Sequence, residues 1–215
     1  MVKSQSEVKS LKLKFTSLTN KVIKMKKTKN HIVLCGDSIF DNGSYVRGEP
    51  DVAEQVREQL PDSKVTLLAK DGNVTKDVKD QLNNLPDDAT HIFISIGGND
   101  GIDRMDVFDQ GVKTIGDAMS PLYKMRQKFE NIYNNMLTHV LSYGVPTALC
   151  SIYYPRYEEL GLGRMREYFG GKTNRVPIHK MAMVGLSIYN DIITKEAFQA
   201  GLPLIDLRVL CNDDK

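Results

Sequence analysis

A serine hydroxyl is a weak nucleophile until the fold exposes it and sets a base and an anion-stabilising pocket beside it. Three short segments of this chain carry the residue types for such a centre. The first is Cys35-Gly36-Asp37-Ser38-Ile39-Phe40-Asp41-Asn42. Here an apolar run ends in a glycine that permits a tight turn, and Ser38 is delivered where the chain leaves the run. The second is Lys70-Asp71-Gly72-Asn73, in which Gly72 can present its backbone N–H to the same centre. The third is Ser95-Ile96-Gly97-Gly98-Asn99-Asp100-Gly101. Its glycines allow close approach of backbone to a ligand, and Asn99 offers a neutral amide donor. Such a donor suits an oxyanion, whose charge develops only during reaction. Each segment alone is also an ordinary turn; the combination describes a nucleophile with its donors.

In order and composition the three segments resemble the blocks of the GDSL, or SGNH, hydrolase family, with a shared layout over residues 31–207. The resemblance implies a serine esterase acting on a small carboxylic ester, with no metal and no cofactor. Ser38 is the implied nucleophile. Its own N–H, the N–H of Gly72 and the side chain of Asn99 are the implied oxyanion donors. Acetylated sugars, lipids and simple esters all fall within what the resemblance covers.

One block of that family has no counterpart. The resemblance calls for an aspartate three residues before a histidine, after the fifth strand, the histidine serving as general base. Asp206 is followed three positions later by Val209, while Asp213 and Asp214 stand too close to Lys215. The expectation is a chain cut short or a base-less member. The second alternative is a pseudo-hydrolase that binds an acyl or carbohydrate ligand without turning it over. Of the four histidines, His31 and His91 open apolar runs and His139 closes a long helical pattern. All three should lie at the sheet edge opposite Ser38. His179, in the connection after the fourth strand, is the one histidine on the serine's side.

These residues need a scaffold, and the hydrophobic pattern supplies one. HIVLCG (31–36), KVTLLAK (64–70), HIFISI (91–96), PTALCSIYY (146–154) and LPLIDL (202–207) read as strands. Helical patterns separate them at 50–60, 74–85, 121–143 and 180–200, the third with Pro121 in its first turn and Gly144 beyond its end. Residues 97–101 read as a turn, 155–179 as an irregular Gly- and Arg-rich loop suited to a lid or a ligand contact, and 208–215 show no pattern. Alternating strands and helices predict a three-layer α/β/α fold with a doubly wound, flavodoxin-like, five-stranded parallel sheet. In such sheets ligands gather beyond the carboxyl ends of the strands, where all three segments fall.

Charge is uneven. Residues 1–30 hold nine lysines and one glutamate, while the remainder holds twenty basic and twenty-six acidic residues. The basic stretch reads as a disordered tail, and residues 31–215 as one hydrolase-like domain. The mildly acidic domain excludes a nucleic-acid face. No apolar run reaches the ~20 residues of a membrane span. Cys35, Cys150 and Cys211 have no metal-ligand spacing and read as reduced thiols of a cytoplasmic protein. A nucleotide-binding role is disfavoured because no Gly-rich phosphate cradle follows the first strand. Oligomeric state is open at this level.

Overall fold

A computed structural model of the chain describes residues 30–154 and 178–211. The elements in order are β1 (His31–Gly36), α1 (Val52–Gln59), β2 (Lys64–Leu67), α2 (Val78–Leu82), β3 (His91–Ser95), α3 (Gly98–Ile102), α4 (Ile115–Leu141), β4 (Thr147–Cys150), α5 (Ile178–Gln199), β5 (Leu204–Ile205) and α6 (Leu207–Leu210). Short 3-10 turns at Thr75–Asp77 and Met105–Asp109 lead out of the second and third loops.

The five strands form one sheet in the order β2-β1-β3-β4-β5, and every described pairing is parallel. This is the predicted doubly wound order. Its topological switch point lies between β1 and β3, the expected place for a site. Ladder partners there include Cys35 with Ile94 and Gly36 with Ser95.

Period-two alternation divides the core into two layers. Val33, Cys35, Ile92, Ile94 and Leu149 face α2, α4 and α5, packing against Val78, Leu82, Phe129, Tyr133, Ile192 and Ile193. Ile32, Leu34, Phe93, Ala148, Cys150 and Ile205 face the other way, against Ala53 and Val56 of α1 and Leu207 of α6. Both sheet faces are therefore covered, which is why the strands read as continuous apolar runs rather than alternating ones.

Several predicted boundaries change: β2, β4 and β5, expected at 64–70, 146–154 and 202–207, span only Lys64–Leu67, Thr147–Cys150 and Leu204–Ile205. Helix α4 begins at Ile115, six residues before Pro121, which sits inside the helix. The cause is a capping box: the Thr114 hydroxyl accepts from Asp117 N–H, and the Asp117 carboxylate accepts from Thr114 N–H. The 74–85 pattern splits into a 3-10 turn and the five-residue α2. The Gly-Gly-Asn-Asp segment, expected as a turn, forms α3, and Leu207–Leu210 add a further short helix. The predicted loop falls at 155–177 outside the described residues, as do most of the basic tail and the last four residues. Among the described residues no helix is long and apolar enough to cross a membrane.

Candidate active site

The site begins with a glycine that nothing else can replace. Gly36 closes β1 with φ +134°, and a Cβ built there would stand 1.9 Å from the carbonyl oxygen of Ser95. Glycine thus lets the ends of β1 and β3 converge. Asp37 N–H continues the contact by donating to the same Ser95 oxygen at 3.1 Å. The chain then winds into a single turn: Phe40 and Asp41 donate to the Asp37 carbonyl, each at 3.1 Å, and Ile39 N–H donates to Asp37 Oδ1 at 3.1 Å. Ser38 rides on this turn, half-buried, two residues past the sheet.

The Asp37 carboxyl is buried, and burial pushes its pKa up to about 7. The bond from Ile39 works against that rise, while the neighbouring carboxylates of Asp100 and Asp71 add to it. An acid this close to the sheet edge is held neutral between the ordinary 3.8 and about 7, where an exposed aspartate is already charged.

The loop after β2 is tied to this turn. Lys70 N–H donates to the Gly36 carbonyl at 3.1 Å, and Asp71 N–H to Asp41 Oδ2 at 2.8 Å. Tyr45 closes the link from its hydroxyl to Asp71 Oδ2 at 2.7 Å. Gly72 follows, exposed, with φ +79° and no atom of the described residues within 4 Å of where a Cβ would stand.

The loop after β3 turns at Gly97, whose φ of +116° places it in the left-handed region. A side chain there would meet the Phe129 ring at 3.0 Å. This reversal starts α3 directly on the sheet edge and puts Asn99 in its first turn. Asn99 Nδ2 donates to the Asn73 carbonyl at 2.8 Å. Beside it, Asp100 Oδ2 accepts from both the N–H and the hydroxyl of Thr75, at 2.8 and 2.9 Å. The third segment is therefore fastened to the second at two adjacent points.

All three predicted residues, Ser38, Gly72 and Asn99, stand beyond the carboxyl ends of neighbouring strands, on loops that are bonded to one another. The sequence did not point to Asn73 and Thr75, the partners that hold Asn99 and Asp100. A polar residue after a turn glycine is the whole of their local signal.

The described histidines lie away from this edge. His31 opens β1, with Nδ1 2.6 Å from Asp88 Oδ1 and Nε2 2.8 Å from Thr66 Oγ1. His91 opens β3 beside the Thr90 hydroxyl, and burial lowers its pKa. His139 lies in the last turn of α4, edge-on to Tyr143. Each occupies the amino edge of the sheet, as its sequence position predicted. His179 is in the first turn of α5, and its side chain is outside the described residues.

Asp206 is fully engaged elsewhere. Its carboxylate caps α6, accepts from Ser151 Oγ at 2.8 Å and receives both Nε and Nη2 of Arg208, at 2.8 and 2.6 Å. The bonds from Arg208 hold its pKa below the usual carboxylate value. Among the described residues, no group of three or more His, Cys, Asp or Glu side chains could hold a metal ion.

No family model matches the chain, and no curated protein matches it. Solved structures do. A phospholipase A1 from Streptomyces albidoflavus is similar at 16% identity and a TM-score of 0.56, over 85% of this chain and 81% of that one. An extracellular lipase from Streptomyces rimosus is similar at 18% identity and a TM-score of 0.54, with the same two coverages of 85% and 81%. An alpha/beta hydrolase enzyme from the metagenome of Lake Arreo, Spain, follows at 16% and 0.51, over 84% and 78%. At these identities the likeness is one of fold: the chain has the three-layer parallel architecture on which these hydrolases are built.

Proposed function

We propose that this protein is a serine ester hydrolase of the GDSL/SGNH type acting on a small acyl or acetyl ester. Ser38 is the nucleophile in this reading, and Gly72 and Asn99 are oxyanion donors. The observation that supports it best is the bond from Asn99 Nδ2 to the Asn73 carbonyl at 2.8 Å. It uses one hydrogen of the amide, one residue along from Gly72, and among the described residues the other hydrogen has no partner and can donate.

The step would run as follows. Ser38 Oγ attacks the ester carbonyl carbon as its proton passes to a base. The carbonyl oxygen takes the electron pair and is held by the N–H groups of Ser38 and Gly72 and the free hydrogen of Asn99. Collapse expels the alcohol, which takes up a proton, and leaves an acyl group on Ser38. Water then repeats the sequence and releases the acid. His179 is the histidine whose position on the chain allows it to serve as base. A fluorophosphonate probe tests the reading: it labels the wild type and not Ser38→Ala, and His179→Ala slows labelling. No labelling of the wild type at high protein concentration counts against it.

A second reading is favoured by the placement of His31, His91 and His139 at the amino edge. Without a base the same donors would bind an acyl or carbohydrate ligand and leave it intact. Ligand binding that is equal in wild type and Ser38→Ala, with no ester cleavage, would decide for the second.

A further inference from the structure

Gln81 is a polar side chain in an apolar place. It lies on α2 between Val78 and Leu82, both in the main core, and is itself only 8% exposed. Burying an amide costs a few kcal/mol unless it is hydrogen-bonded, and here every strong group is used. Gln81 Oε1 accepts from Gly36 N–H at 2.8 Å, and Gln81 Nε2 donates to the Gly36 carbonyl at 2.7 Å. The remaining Nε2 hydrogen goes to Asn73 Oδ1 at 2.8 Å.

The place of these bonds matters. The β1–β2 ladder ends at Leu34 and Leu67, whereas β1 runs on to Gly36. The Gln81 amide bonds both polar groups of that last residue, its carbonyl being shared with Lys70 N–H at 3.1 Å. The same amide grips Asn73, whose carbonyl receives Asn99. Gly36 is two residues before Ser38, and Asn73 is one residue after Gly72.

The geometry points to Gln81 as a positioning residue for the oxyanion donors: beside the direct bonds from Lys70 to Gly36 and from Asp71 to Asp41, one buried amide braces the Ser38 loop against the Gly72 loop and, through Asn73, aims the amide of Asn99. It offers no atom to a substrate. Its chemical consequence rests on the ester-hydrolase reading above, but the coupling of Gln81 to Asn99 does not. Donors must be held to about 0.5 Å to act on a developing charge, and one side chain that bridges two loops restrains both.

Two variants separate this role from core filling. Gln81→Leu keeps the volume and removes all three bonds. Gln81→Glu keeps the shape and the acceptor but lacks both N–H donors. Two measurements are made on the full chain: the rate of fluorophosphonate labelling, and the side-chain amide signals of Asn99 by NMR, identified by their loss in Asn99→Ala. Both variants should slow labelling about 10- to 100-fold, short of the ~10²–10³-fold cost of deleting a donor outright. They should also move the Asn99 amide signals. Val140→Ala, a core truncation in α4, should lower the melting temperature and leave both readouts in place. Unchanged labelling together with unmoved Asn99 signals in either folded variant overturns the proposal. If Gln81→Leu does not fold, Gln81→Glu decides alone. If the wild type is not labelled at all, the ester reading falls, and the Asn99 signals by themselves judge the role of Gln81.

Discussion

The side-chain amide of Asn99 and the backbone carbonyl of Asn73 meet at 2.8 Å, and this bond joins the loop after β3 to the loop after β2. Among the described residues the other hydrogen of that amide has no partner, and its direction is fixed by the first bond. Such a donor adds little to the folded state and much to a transition state whose charge it faces. Asn99→Ala should therefore lower kcat for ester cleavage about 10²–10³-fold, while stability falls by about 1 kcal/mol for one lost hydrogen bond. Steady-state kinetics with a chromogenic acetyl ester, alongside urea denaturation, checks both. A large stability loss with unchanged kcat would reverse the assignment, making Asn99 a loop fastener.

Asp37 gives the site a pH signature in stability. Its pKa rises from the ordinary 3.8 to about 7 on folding, chiefly through burial. A raised carboxylate pKa means that the folded state holds the proton more tightly than the unfolded one. Stability associated with the neutral acid is thus complete below 3.8 and drains away as pH climbs to about 7, after which it is flat. With 1.36 kcal/mol per pKa unit, the loss is on the order of 4 kcal/mol. Asp37→Asn carries no proton, and its amide oxygen can still accept from Ile39. The variant should match wild type near pH 4 and exceed it by an amount that grows up to pH 7. Parallel curves of melting temperature against pH for the two proteins would show that Asp37 ionises freely.

Two glycines of the site should respond very differently to alanine. At Gly36 the new Cβ meets backbone oxygen at 1.9 Å, and that oxygen belongs to the neighbouring strand. Nothing flexible can yield, so Gly36→Ala should cost at least about 4 kcal/mol, a large share of the 5–15 kcal/mol that holds a typical domain together. At Gly72 the space is open and only the positive φ of +79° opposes a side chain, at about 1–2 kcal/mol. Denaturation midpoints for the pair give the comparison directly. Equal losses would mean that the β1 and β3 ends are less closely apposed than the structure has them.

The sequence exposed what depends on local pattern and concealed what depends on long-range side-chain bonds. Continuous apolar runs such as HIVLCG and HIFISI marked buried parallel strands, and their ends put Ser38 and Asn99 at the carboxyl edge of the sheet, where the structure has them. The start of α4 is encoded in Thr114-x-x-Asp117, whereas Pro121, which suits a first turn, stands six residues inside the helix. That Gly97 starts a helix rather than a turn depends on its fit against Phe129, a residue on a distant element. Likewise Thr75 finds Asp100 across 25 positions and Gly36 finds Gln81 across 45. No periodicity or spacing rule encodes a contact of that kind, so the supports of the site appear only in three dimensions.

A second serine at the carboxyl edge tests whether Ser38 is the right one. Ser151 follows β4 and donates from Oγ to the Asp206 carboxylate at 2.8 Å, a pairing that on paper looks more activated than anything Ser38 shows. Access rules it out. Ser151 has no exposed surface, and its oxygen also accepts from Leu207 N–H at 2.9 Å. Those two bonds hold the start of α6 to the end of β4, so the hydroxyl is a structural link. Ser151→Ala should leave the rate of phosphonate labelling within about twofold of wild type. It should destabilise the fold by about 1–3 kcal/mol, because it strands a buried N–H and removes one partner of a carboxylate. Mass spectrometry of the labelled protein should find the adduct on the peptide containing Ser38. An adduct on Ser151, or labelling lost in Ser151→Ala with the fold intact, would move the nucleophile to β4 and undo the roles given to Gly72 and Asn99.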